Sequence, residues 1–343
     1  MLSLSMEVDI PGVTKQEFEQ WIQELQIKSH PNLSIEKSKL GGYGLFFTAN
    51  ANAVLQVLDN EEVKEKEDEE DEEEEQDDDI EILRIPHCYN LNTLGNLLRE
   101  VKQRDEQFES VEPKESSIII NFLKASQQSE TGILLSYILA FHTIKGLPDS
   151  EYHRESPLQQ FNVYLQVLSS TWVPALTPLN KKQDDVELDK NTRNQENEAK
   201  EASNGETALD FVRFTEFVKE EYQRYIEEVQ TNIPNLDITN TITWEVFYQY
   251  SQAIRSRILE IPRMVGVEDG EEVYTTDVSL VPILDFANHA TLGTNNLYFD
   301  IDLETKNIVL NLSQPLNGKF EITISYDPDD TTDQFLFTYG FKN

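Results

Sequence analysis

The stretch Val281-Pro282-Ile283-Leu284-Asp285-Phe286-Ala287-Asn288-His289 decides how this chain is read. It closes an apolar, strand-like run, Val278–Phe286, and sets an acid, an amide and an imidazole close together. An asparagine side chain offers both a donor and an acceptor, which suits the polar groups of an amino acid. Strand patterns continue downstream at Asn296–Ile301, Ile308–Leu312 and Phe320–Tyr326. Turns are signalled between them at Glu304–Asn307, Asn317–Gly318 and Asp327–Asp330.

Upstream of this run the chain reads as helical. Gly132–Ile144 is apolar nearly all round and stops at Gly146, as a buried helix with a glycine end would. Ser156 and Pro157 form an N-cap and first-turn pair before Phe161, Tyr164, Leu165 and Leu168. Ala208–Val229 and Thr243–Ile261 follow with apolar positions at steps of three and four, predicting two more helices. Nearer the start, Thr14 and Glu17 have capping-box spacing ahead of Phe18, Trp21, Ile22 and Leu25. Short strands are expected at Leu33–Lys37 and Leu45–Thr48, around the turn-rich Lys39–Gly44, and again at Ile80–Ile85. The order strands, helices, strands predicts an α+β fold whose β core is split by a helical insert.

The chain has 343 residues and a net charge of −36. Asp59–Glu81 holds 17 acidic residues and two lysines, a balance of −15, which leaves −21 on the rest. A field of this sign repels nucleic acid and steers basic proteins toward the surface. The acidic run and the polar Lys181–Glu206 stretch lack the apolar residues needed to pack and are expected as disordered loops. Gly132–Phe141, the longest apolar stretch, is too short for a membrane span. One cysteine, Cys88, excludes an internal disulfide and a multi-cysteine zinc site, and the five histidines lack a metal-ligand spacing. A reducing home, the cytoplasm and also the nucleus, fits this content.

No GxGxxG after a strand, P-loop, HExxH or GxSxG is present. Four segments in order instead resemble the SET family of protein lysine methyltransferases, in its Rubisco and ribosomal-protein branch. They are Gly41-Gly42-Tyr43-Gly44-Leu45-Phe46-Phe47-Thr48, Ser256-Arg257-Ile258-Leu259, the run ending in Asn288-His289, and Glu321–Tyr326 with Phe335-Leu336-Phe337-Thr338-Tyr339-Gly340-Phe341. The resemblance implies S-adenosyl-L-methionine as cofactor and no metal. It assigns Gly41, Gly42, Tyr43, Arg257, Asn288 and His289 to the cofactor, with Arg257 late in a helix facing the methionine carboxylate. It gives Asp285 and Tyr326 to the substrate lysine and its channel, and makes Tyr339 the catalytic residue beside the transferred methyl. The organisation it implies is an N-terminal helix in 1–32 and a SET domain in 33–343. Within that domain lie an acidic disordered insert at 59–81, a helical region at 89–180 and a polar disordered insert at 181–206. A helical insert at 207–262 and a C-terminal core at 276–343 complete it.

Two departures accompany the resemblance. Thr332 stands where the family has an asparagine, and the sequence stops at Asn343, where this branch continues into a helical substrate-binding domain. The second implies either a shortened chain or a protein that has lost that domain. The expected function is methylation of a lysine on a basic cytosolic protein, a ribosomal protein or translation factor. The chain would act as a monomer that binds neither nucleic acid nor membrane. The alternative is a SET-derived binding protein without catalysis.

Overall fold

The computed structural model describes residues 4–6, 9–40, 42–49, 80–86, 91, 95–108, 111–148, 151–171, 205–268, 271–290, 294–312, 318–326 and 339. They fall into two compact units. One takes Met1–Asp9, Thr14–Tyr89 and Phe286–Tyr326, and the other Ile10–Val13, Asn90–Asp285 and Asp327–Asn343.

The first unit is built from sheets. Its helix α1 (Lys15–Glu24) starts on the expected capping box: Glu17 N donates to Thr14 Oγ1 at 3.2 Å, and Thr14 N donates to Glu17 Oε2 at 2.9 Å. Such a cap contributes about 1 kcal/mol and fixes where the helix begins. Phe18, Trp21 and Ile22 bury its apolar face. The strands are β1 (Ser5–Met6), β2 (Lys28–Ser29), β3 (Leu33–Lys37), β4 (Tyr43–Ala49) and β5 (Ile80–Ile85). After the second unit's β6 (Leu259–Glu268) and β7 (Glu271–Ser279) come β8 (Asn288–His289), β9 (Leu297–Ile301), β10 (Ile308–Leu312) and β11 (Gly318–Ile324). One sheet runs β1-β3-β4-β11-β8 and a second runs β2-β5-β10-β9. Strand β10 has neighbours on both sides and buries Ile308, Val309, Leu310 and Leu312, as a central strand must. Edge strand β9 alternates buried Leu297 with exposed Tyr298 and Asp300.

Register in the first sheet positions the site. Strand β11 lies antiparallel to β4, with Glu321 opposite Phe46 and Ile322 opposite Leu45. On its other edge β11 runs parallel to β8, with Thr323 opposite Asn288 and Ile324 opposite His289. The Asn-His pair, read from sequence as following a strand, is itself a strand.

The second unit is mainly helical: α2 (Gly95–Asp105), α3 (Glu115–Ala125), α4 (Glu130–Lys145), α5 (Glu151–Arg154), α6 (Asn162–Thr171), α7 (Gly205–Asn232), α8 (Ile238–Thr241) and α9 (Trp244–Arg255). Helix α4 is the all-round apolar one and ends at Gly146. Tyr225 of α7 is fully buried and donates to the Gly132 carbonyl at 2.8 Å, tying α7 to the start of α4. Ser156 caps a short 3-10 turn, Pro157–Phe161, that leads into α6. No described helix is long and apolar enough to cross a membrane.

Two readings need correction, and one element has no counterpart in the sequence reading. The helix expected to run to Ile261 ends at Arg255, and Leu259 opens β6. Tyr250, Ile254, Ile258 and Ile261 keep a helical spacing through the change, so periodicity hid it. Burial instead alternates at Leu259, Glu260 and Ile261, the signature of a strand. The run Val278–Phe286 is not one strand, since β7 ends at Ser279 and Leu284–Phe286 is a 3-10 turn. The β6–β7 hairpin was not read at all, although Asp269-Gly270 between its strands is a hairpin signal. Residues 59–79 and 181–204 of the two predicted inserts lie outside the described residues, while Ile80–Glu81 belong to β5 and Gly205–Glu206 to α7.

Candidate functional site

The sheet unit gathers Tyr43, Asn288, His289 and Tyr326. Asn288 Nδ2 donates to the Tyr43 carbonyl at 3.1 Å and to Glu321 Oε1 at 2.7 Å. Ser38 Oγ donates to the same carboxylate oxygen at 2.6 Å. His289 Nδ1 accepts from Tyr326 N at 3.2 Å, and the two rings lie 5.3 Å apart. Tyr326 Oη reaches back to the Ala287 carbonyl at 2.9 Å, so this tyrosine clamps β8 from both ends. Asn288 and His289 remain half-exposed, with their inward-facing atoms already bonded.

The glycine turn has two distinct jobs. Gly42 holds φ +59°, a left-handed backbone that favours glycine. At Gly44 the reason is space: an added Cβ would run into the Glu321 carboxylate and meet the Asn288 amide at 3.0 Å. The space that Gly44 leaves is filled by the protein itself. Tyr43 is buried, donates to the Asp9 carbonyl at 3.1 Å and lies under the Lys37 ammonium, 3.8 Å from its ring centre. Gly41 lies outside the described residues.

The helical unit holds Arg257 and Asp285. Arg257 is not late in a helix but two residues past the end of α9, after the Ser256 cap. Asp285 follows a turn at Pro282–Ile283 in which Asp285 N donates to the Val281 carbonyl at 3.1 Å. Buried Ile283 holds φ +75° there, a strain of about 1–3 kcal/mol for a β-branched residue. The turn aims the Asp285 carboxylate inward, where its side chain has 0% exposure. Its Oδ2 accepts from Tyr164 Oη at 3.0 Å and faces Arg257 Nη1 at 3.4 Å, while Arg257 Nη2 donates to Thr171 Oγ1 at 2.7 Å. Asp285 Oδ1 has no hydrogen-bond partner among the described residues. Burial raises the Asp285 pKa despite the opposing pull of Arg257. Burial, and then the neighbouring carboxylate, push the Tyr164 hydroxyl well above its ordinary range.

Asp285, which the resemblance gives to the substrate, faces Arg257 and Tyr164 here. Tyr339 belongs to the helical unit and is half-buried, while Thr332 and the rest of the closing motif lie outside the described residues. The helical unit also contains a space of about 540 Å³ lined by His142, Lys145, Gln166, Ser169, Gln249 and Tyr250, none of them a predicted site residue. Sequence reasoning missed Glu321, Ser38, Tyr164 and Thr171. Glu321 stood in a quoted segment, but its link to Asn288 required the β4–β11–β8 register.

The profile of a family described as cytochrome c lysine N-methyltransferase 1 matches residues 15–343. Cytochrome c lysine N-methyltransferase 1 of Saccharomyces cerevisiae is 28% identical over 337 residues, covering 91% of this chain and 46% of its own. The protein of the same name from Eremothecium gossypii is 26% identical over 333 residues, covering 92% of this chain and 57% of its own. The chain thus spans about half the length of these relatives. Among solved structures, the SET domain of LSMT bound to lysine and AdoHcy aligns with a TM-score of 0.51 at 15% identity, covering 96% of this chain and 57% of that one. This likeness shows a SET fold, with mixed strands and helices as the sequence order predicted.

Proposed function

The chain belongs to the cytochrome c lysine N-methyltransferase 1 family, and from that premise we propose that it methylates a lysine of a protein substrate, with S-adenosylmethionine as donor. The observation that carries the reading is the Asn288–His289 strand, held against β11 and the Tyr43 carbonyl with its outer face half-exposed. A fixed amide at the end of a sheet fits the amino-acid end of such a cofactor. The substrate we propose is cytochrome c, the protein in the relatives' names, which favour it over a ribosomal protein or translation factor. Cytoplasmic residence and monomeric action belong to the same proposal.

When bound, the cofactor supplies an electrophilic methyl group on a sulfonium. The chain's own task is to position the amine and to favour its neutral form. A free lysine has a pKa near ~10.4, and an apolar, aromatic surrounding lowers it by disfavouring charge. Tyr326, fixed by its bond to Ala287 and its packing on His289, supplies an aromatic wall of this kind. Arg257, held between Asp285 and Thr171, supplies a fixed cation for a carboxylate. Tyr339 is the residue we assign to the transferred methyl. Positioning supplies much of the rate in a direct transfer.

The test is to incubate the chain with S-adenosylmethionine and cytochrome c and to follow the mass of the cytochrome. Methyl-sized increments that fall sharply in Tyr339→Phe support the proposal. Cofactor binding without any increment on cytochrome c or other basic proteins would favour the binding-protein alternative.

A further inference from the structure

We propose that Glu321 is a positioning residue of the cofactor pocket, holding the Asn288 amide so that its oxygen, not its nitrogen, meets the ligand. The proposal rests on the methyl-transfer reading above and names the group that this part of the site selects.

Asn288 Nδ2 faces two atoms that can only accept, the Tyr43 carbonyl at 3.1 Å and Glu321 Oε1 at 2.7 Å. Turning the amide over would set its oxygen against both, an oxygen–oxygen repulsion at hydrogen-bond distance. The chemistry of the neighbours therefore fixes one orientation. Both N–H groups are used inward, and Oδ1 is the polar atom left to meet a ligand.

Glu321 is itself held from several sides. Its Oε1 accepts from Ser38 Oγ at 2.6 Å as well as from Asn288. Its backbone carbonyl accepts from Asn296 Nδ2 at 2.8 Å, and Thr323 N donates to Asn296 Oδ1 at 3.0 Å. Gly44 lacks the Cβ that would displace the carboxylate. Ser38 carries the tie into the glycine turn, because Leu40 N donates to Ser38 Oγ at 2.9 Å and Ser38 N donates to the Gly42 carbonyl at 3.2 Å. One carboxylate oxygen thus links the 38–42 turn to β8.

A wall that offers an acceptor, with a carboxylate behind it, selects a charged donor: the ammonium of an amino acid. A site built to bond such a group discriminates against an analogue that lacks it, because the ligand then covers the acceptor without pairing it.

The experiment uses the whole chain and two probes, S-adenosylhomocysteine and its deaminated analogue, which keeps the carboxylate but lacks the ammonium. Dissociation constants are measured by calorimetry for the wild type, Glu321→Ala and Glu321→Gln. The wild type should prefer S-adenosylhomocysteine. Glu321→Ala should narrow that preference roughly tenfold by weakening this probe alone. Glu321→Gln, whose amide oxygen can still accept from Asn288, should keep it within about threefold. If Glu321→Ala fails to fold, Ser38→Ala replaces it and should narrow the preference by a smaller factor. Equal weakening of both probes, or an unchanged preference, overturns the inference, because a merely structural role lowers stability without altering the ratio. A wild type that binds neither probe overturns the methyl-transfer reading and this inference with it.

Discussion

Asn288 and Asp285 are three residues apart in sequence, yet they are held by opposite means. Asn288 is half-exposed on a strand, and its amide is oriented by one backbone carbonyl and one carboxylate brought alongside by sheet register. Asp285 is enclosed, its charge answered by a guanidinium and a tyrosine hydroxyl, and the guanidinium is answered in turn by a threonine on the same helix as that tyrosine. The first arrangement costs little desolvation and leaves an atom for a ligand. The second places a charge pair out of water, where losing one partner strands the other. Truncating a side chain of the sheet cluster should therefore show mainly in binding, and truncating one of the buried cluster mainly in stability.

Arg257→Ala should give the largest effect on stability, about 3–5 kcal/mol, because it leaves the Asp285 carboxylate buried without its cation. Denaturant unfolding measures it, and a loss under about 1 kcal/mol would mean that the pair is solvated and the contrast fails. Gly44→Ala comes next at about 3 kcal/mol, since its Cβ overlaps the Glu321 carboxylate. Combining it with Glu321→Ala should recover much of the loss, and simple additivity of the two would show that Gly44 makes room for something else. Tyr164→Phe removes one hydrogen bond to a buried carboxylate and should cost about 2 kcal/mol, read in the same unfolding series.

The smallest effect separates two carboxylates by pH. Asp302 is held down to about 2, first by the Thr305 backbone amide and then by Arg84. Its folded pKa lies below the unfolded one, so the unfolded chain binds more protons and this contribution is lost as pH falls from about 4 toward 2. Asp285 is shifted the other way by burial, so its contribution worsens as pH rises from about 4 through its raised pKa. Asp302→Asn should flatten the acid limb of a stability–pH curve by about 1 kcal/mol and leave the limb above pH 4 unchanged. An acid limb identical to the wild type's would remove Asp302 from the account.

The same contrast explains what could be read in advance. Asn288, His289, Arg257 and Asp285 sit in short motifs whose order along the chain suggested a SET fold, and the capping box at Thr14 marked α1 without help from tertiary structure. Their partners were not legible. Ser38 lies 283 residues from Glu321, and Tyr164 lies 121 from Asp285, so only the folded chain brings them together. The end of α9 escaped because its apolar spacing continues into β6, where side-chain alternation and not helical period governs burial. The reason for Gly44 was not legible either, because sequence shows a missing Cβ but not the side chain that takes its place.

The most direct test of the central claim is calorimetric titration of the chain with S-adenosylmethionine, wild type against Asn288→Ala. The account predicts binding by the wild type that is lost or greatly weakened in a variant whose unfolding curve is unchanged. Equal binding by both, or none by a folded wild type, would contradict it.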